Sequence, residues 1–81
     1  MATAPLDAFL ARNQGLWDRL GYLTRKAGGG IGRLPAAELD EMVRLYQRVS
    51  SHLSFARTYY DDPALTAQLS GLVAASGAVV Y

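Results

Sequence analysis

Apolar residues return at spacings of three, four and seven along almost the whole chain, and the repeat is broken only twice. A period near 3.6 is that of a helix with one buried face, so the pattern predicts three helices and leaves no room for a sheet. In the first segment the stripe is Leu6, Phe9, Leu10, Leu16, Trp17, Leu20, Leu23 and Ala27. Thr3 is placed to cap it, and Pro5 stands where a missing N–H costs nothing. Arg25 and Lys26 fall in its last turn, where cations complement the helix dipole. Gly28, Gly29 and Gly30 then end it. The second segment opens at Pro35 and carries Leu39, Met42, Val43, Tyr46, Val49, Leu53, Ala56 and Tyr60. Its acids, Glu38, Asp40 and Glu41, come first and its arginines, Arg44, Arg48 and Arg57, follow. That order suits the dipole, and Asp40–Arg44 is a candidate i,i+4 pair. Asp61-Asp62-Pro63 closes the segment and also starts the third, since Asp is a good cap and Pro fits the first helical position. The expected helices are about 4–27, 35–59 and 63–79. The expected fold is all-α: a three-helix bundle, or a long antiparallel hairpin with a third helix packed on it.

Size sharpens this expectation. Eighty-one residues make one small domain with a modest core, and without cysteine neither a disulfide nor a thiolate–metal cluster can reinforce it. An apolar share of 51% argues against a disordered chain. Oligomerisation, or further sequence, is then the expected way to complete the core. The third segment points the same way. From Pro63 to Tyr81 there is no charged residue. Its length approaches the ~20 residues that cross a bilayer. Thr66, Gln68, Ser70 and Ser76 nevertheless lower its hydropathy, and Asp62-Pro63 reads as a helix cap in water, so a bundle helix is expected. Leu65, Leu69, Leu72, Val73 and Val79 give it bulk, while Gly71, Ala74, Ala75, Ser76, Gly77 and Ala78 keep much of its surface small. Gly71 and Ala75 form a small-xxx-small pair that permits close helix approach.

The residue set gives little support to catalysis. Gly28-Gly29-Gly30-Ile31-Gly32 lacks the strand before it and the Lys-Ser/Thr after it that a phosphate loop requires, so it reads as a connection. His52 is the sole histidine and has no carboxylate three or four residues away, which suits a structural role. The acids of the second segment are explained by helix capping, and a metal site in a bundle draws on several helices. No serine stands in a nucleophile elbow. No catalytic residue, cofactor or metal ligand is therefore expected, and the chain reads as a non-catalytic interaction module. A net charge of +1 excludes a strongly basic nucleic-acid binder, though not a local patch. Arg12, Arg19, Arg44, Arg48 and Arg57 read either as a stripe facing phosphates or acidic lipid, or as a solvated face balanced by Asp7, Asp18, Asp40 and Glu41. Candidate interaction residues are Gly71, Ala75 and Ala78 on the third helix, with Arg44, Arg48 and Tyr46 on the second. No secretory signal opens the chain.

Several stretches, in order, resemble the amino-terminal region of the stage II sporulation protein M family. They are Leu6-Asp7-Ala8-Phe9-Leu10, Trp17-Asp18-Arg19-Leu20, Pro35-Ala36-Ala37-Glu38-Leu39, and Leu45 through Leu53 to Ala56-Arg57. Asp62-Pro63-Ala64-Leu65 and Leu69 to Val73 continue the likeness, which covers nearly the whole chain. The resemblance implies an integral membrane protein whose amino-terminal helices precede several transmembrane helices. In spore formers that protein helps to assemble a peptidoglycan-remodelling complex without cutting the wall itself. On this reading the chain is the soluble front end of a membrane scaffold on the cytoplasmic side, its membrane part lying in segments beyond Tyr81. The resemblance transfers no catalytic motif.

Overall fold

The computed structural model describes residues 4–28 and 33–81. Helix α1 runs Ala4–Ala27, α2 Ala36–Tyr59 and α3 Pro63–Val80. Each packs on the other two, forming an all-α bundle 45 Å long and under 20 Å across. Helix α1 ends at Gly28, whose φ of +57° is a left-handed conformation that glycine adopts freely. The proposed cap at Thr3 and most of the glycine-rich connection, Gly29 to Gly32, lie outside the described residues.

Helix α2 starts one residue later than the sequence suggests. Pro35 is extended (ψ 154°) and serves as the N-cap, accepting from the Leu39 N–H at 2.9 Å. At α3 the cap is the expected one. Asp62 Oδ1 accepts from the backbone N–H groups of Ala64 and Leu65, both at 3.1 Å, and Pro63 fills the first helical position. Such a cap is worth about 1 kcal/mol.

The core is built from the predicted stripes. Trp17, Leu20, Leu23, Met42, Val49 and Leu69 are essentially fully buried, and Phe9, Ala27, Leu53, Ala56 and Leu65 join them. Four further residues turn inward that periodicity left out or placed elsewhere: Asn13, Leu34, Leu45 and Ser76. The two polar ones are satisfied within their own helices. Asn13 Nδ2 donates to Phe9 O at 2.9 Å and Ser76 Oγ to Leu72 O at 2.7 Å, so neither brings an unpaired group into the core.

Helices α1 and α2 are antiparallel. At one end of their seam Lys26 Nζ meets Glu38 Oε1 at 2.8 Å; at the other, Phe9 packs on Tyr60. Between these ends Arg19 grips Glu41 with two parallel hydrogen bonds, Nε to Oε2 at 2.8 Å and Nη2 to Oε1 at 2.9 Å. The Asp40–Arg44 pair expected from sequence is not formed; among the described residues the acids that find a cation are Glu38 and Glu41. A pair across two helices fixes their register, which an i,i+4 pair on one helix cannot do.

Candidate interaction surfaces

The polar centre of the bundle joins α1 to α2. Trp17 Nε1–H donates to His52 Nδ1 at 2.9 Å. Since Nδ1 accepts, the neutral ring carries its proton on Nε2. Phe9 stands beside both rings, at 5.7 Å from Trp17 and 5.8 Å edge-on to His52, and stacks on Phe55 at 5.4 Å. The structural role expected of His52 thus has a specific content: it is the acceptor for the buried indole.

Burial, with the nearby Arg48 charge second, holds the His52 pKa below its ordinary value. As pH falls the unfolded chain therefore takes up this proton before the folded one does. The stability His52 contributes is complete above about pH 6.5, the unfolded pKa, and is lost as pH falls through the folded value. Protonation also converts Nδ1 into a donor facing the indole N–H. We expect the denaturation midpoint to fall between about pH 6.5 and pH 5. His52→Gln should lack that slope, because no other histidine exists in the chain. An unchanged slope in the variant would remove His52 from the account.

Around this centre the surface divides into two faces. The first is the α1–α2 seam. Sevenfold spacing aligns Arg12, Arg19 and Lys26 on α1, and steps of three, four and seven align Glu41, Arg44, Arg48, Phe55 and Tyr59 on α2. Its lower half is neutralised by the Arg19–Glu41 and Lys26–Glu38 pairs. The Arg19 guanidinium holds the Glu41 carboxyl below the usual carboxylate range, chiefly through their hydrogen bonds. The upper half keeps Arg12 and Arg48, and Arg44 sits one turn past Glu41, on whose carboxyl it acts at longer range; all three are exposed and form no ion pair among the described residues. A cleft of about 340 Å³ opens there between Phe9, Arg12, Asn13, Ser51, His52 and Phe55, with no carboxylate in its lining. Of the arginine stripe considered from sequence, Arg19 is occupied by Glu41. Arg57 belongs to another side, its Nη2 3.5 Å from Ser70 Oγ on α3.

The second face is the outside of α3. Of its 18 residues only Leu65, Leu69 and Ser76 are buried. Gly71, Ala75 and Ala78 are exposed, together with Ala64, Ala67, Gln68 and Ala74. The covering that a charge-free helix was expected to need is thus absent on this side of the single chain. A Cβ built on Gly71 meets nothing within 4 Å, so the fold does not require glycine there. Gly77 is the opposite case: its Cβ would lie 3.2 Å from Tyr46 Cε1. Tyr46 accordingly sits in the α2–α3 contact, edge-on to Tyr81 at 5.5 Å, and away from the side of Arg44 and Arg48.

A second cleft, of about 390 Å³, lies between α1 and α3 and mixes Asp18 and Arg25 with Trp17, Gly21, Gln68 and Leu72. Among the described residues no group of three or more His, Asp or Glu side chains is gathered as a metal site would require. By length and composition α3 (mean hydropathy 1.4) is apolar enough to cross a membrane.

Fold and surfaces together define a small up-down-up helical bundle with one cationic, aromatic seam and one charge-free face. The family described as "Domain of unknown function (DUF8413)" matches residues 7–81, and the chain belongs to that family. No curated protein and no solved structure matches it.

Proposed function

We propose that this chain is a non-catalytic interaction module that self-associates through the outer face of α3. The observation that carries the reading is that α3 lacks any charge yet has only Leu65, Leu69 and Ser76 of its 18 residues buried. A monomer in water normally covers or charges so continuous a surface. Gly71, Ala75 and Ala78 lie on that face and are small enough to let a second helix approach closely. The absence of any steric reason for Gly71 within the fold adds weight, since an exposed mid-helix glycine costs about 1 kcal/mol relative to alanine.

The resemblance to the sporulation protein M family supports a wider setting. In it the module is the front end of a membrane scaffold, held on the cytoplasmic side by helices that follow Tyr81 and recruiting a protein partner. Hydrophobic spans in the reading frame after Tyr81 support that setting, and a stop codon there overturns it.

Sedimentation tests the self-association. The wild-type chain is expected to form dimers or larger species at high micromolar concentration. Gly71→Leu is expected to sediment as a monomer while melting no lower than wild type, because its side chain meets nothing in the monomer. A wild-type chain that stays monomeric at that concentration sinks the reading.

A further inference from the structure

The cationic half of the α1–α2 seam is not used by self-association through α3, and its chemistry is of another kind. Arg12 and His52 line one cleft, and Arg48 is close enough to act on the His52 ring. The His52 Nδ1 is committed to Trp17, so the donor left to the ring is Nε2–H, which has no protein partner among the described residues. Asn13 donates one amide N–H to Phe9 O, and Ser51 donates its hydroxyl to Gln47 O. The acids paired across this seam, Glu41 and Glu38, are held lower down by Arg19 and Lys26. The site is thus cationic and offers N–H donors, with no carboxylate among its walls.

Beside it stand Phe55, 42% exposed, and Tyr59, 68% exposed, which touch each other at 4.6 Å. We propose that this seam is a docking surface for an anionic membrane, the cleft seating a lipid phosphodiester between Arg12 and His52. Arg44 and Arg48 add attraction at longer range, and Phe55 and Tyr59 enter the boundary between headgroups and acyl chains.

Arginines flanked by aromatic residues are the combination that holds peripheral proteins at anionic interfaces. Two observations favour a membrane over nucleic acid. Phe55, the ring that lines the cleft, is already stacked on Phe9 and tilted against Tyr59, so a base seated at the cleft would have to displace one of these rings to stack on it. A lipid surface needs only the exposed ring edges. At the cleft itself the cations are few, Arg12 in its lining and Arg48 within reach of the His52 ring, which suits one or two headgroups better than a run of backbone phosphates.

Vesicle flotation with the full chain tests the proposal, using phosphatidylcholine vesicles with and without phosphatidylglycerol. Binding is expected only with phosphatidylglycerol and is expected to weaken steeply with added salt. Arg12→Glu and Arg48→Glu should each weaken it by about tenfold or more, and Phe55→Ser should weaken it at unchanged charge. Arg25→Glu, in the separate α1–α3 cleft, should bind within about twofold of wild type, since salt screens an exposed charge that does not face the membrane. Circular dichroism of each variant confirms folding, and both arginines are exposed and unpaired, so either variant alone suffices. Four results overturn the proposal: no binding to anionic vesicles at low salt; equal binding to neutral ones; equal loss with Arg25→Glu; or tighter binding to a single-stranded oligonucleotide than to vesicles. A shift of His52 resonances with inorganic phosphate but no vesicle binding would show a free-anion site and likewise overturn the membrane assignment.

Discussion

Trp17→Ala is expected to remove about 3–5 kcal/mol of stability, the usual cost of deleting a buried indole. A domain of this size is held by only about 4–12 kcal/mol in all, so the variant should be largely unfolded at moderate temperature. Three losses coincide at this residue. The ring is 2% exposed, so its removal leaves a cavity among Phe9, His52 and the α3 contact. The Nε1–H bond to His52 disappears, leaving Nδ1 without its donor. The edge-on packing with His52, centroids 6.0 Å apart, goes with it. Trp17→Phe separates these terms, since it retains most of the apolar volume and loses the donor. It should cost about 1–3 kcal/mol, the range for an interrupted hydrogen bond with partial loss of packing. The chain contains one tryptophan, so unfolding is followed by far-ultraviolet circular dichroism in denaturant rather than by fluorescence. A loss below about 1 kcal/mol for Trp17→Ala would show that the aromatic centre does not hold α1 to α2.

The helices of this bundle were legible because their ends are marked chemically. Gly28 sits at the only positive φ among the described residues, Pro35 and Pro63 stand at helix starts, and Asp62 caps α3 with its side chain. The stripe positions were legible because a 3.6 period leaves few alternatives. The polar misses share a physical origin. Asn13, which the apolar stripe passes over, and Ser76, expected on the small surface of the third helix, each satisfy themselves on a carbonyl four residues back and so can enter the core. Whether such a residue is buried depends on helix rotation, which the local sequence does not specify. The long-range pairs were hidden for a related reason. Trp17–His52 spans 35 residues and Arg19–Glu41 spans 22, and both depend on the register between α1 and α2. The visible local pair, Asp40–Arg44, lost to that register. The arginine stripe divided similarly, with Arg19 neutralised and Arg57 turned toward α3, leaving Arg12, Arg44 and Arg48 as the members of that stripe on the seam with no ion pair among the described residues.

A matched pair of substitutions on α3 separates what the fold demands from what it merely tolerates. Gly71 and Gly77 lie on the same helix, and valine at either changes intrinsic helix propensity by a similar few tenths of a kcal/mol. Their surroundings differ. Around Gly71 there is open space, whereas a Cβ at Gly77 lies 3.2 Å from Tyr46 Cε1 and 3.4 Å from its Oη. The Tyr46 ring, with Tyr81 packed edge-on against it, the planes 67° apart, must shift by a few tenths of an ångström to admit the new atoms. Gly77→Val, which adds branched methyl groups to that contact, is expected to cost about 1–3 kcal/mol by overpacking. Gly71→Val should stay within about 0.5 kcal/mol of wild type. Both are measured by denaturant unfolding in dilute solution, where association through the α3 face does not contribute. Tyr46→Ala provides the internal check: by removing the ring it should make Gly77→Val far less costly, with a coupling of about 1–2 kcal/mol in a double-mutant cycle. Gly71→Val should show no such coupling. Equal losses at the two glycines, or additivity between Gly77→Val and Tyr46→Ala, would mean that the close approach of α2 and α3 at Tyr46 is not what fixes the end of the bundle.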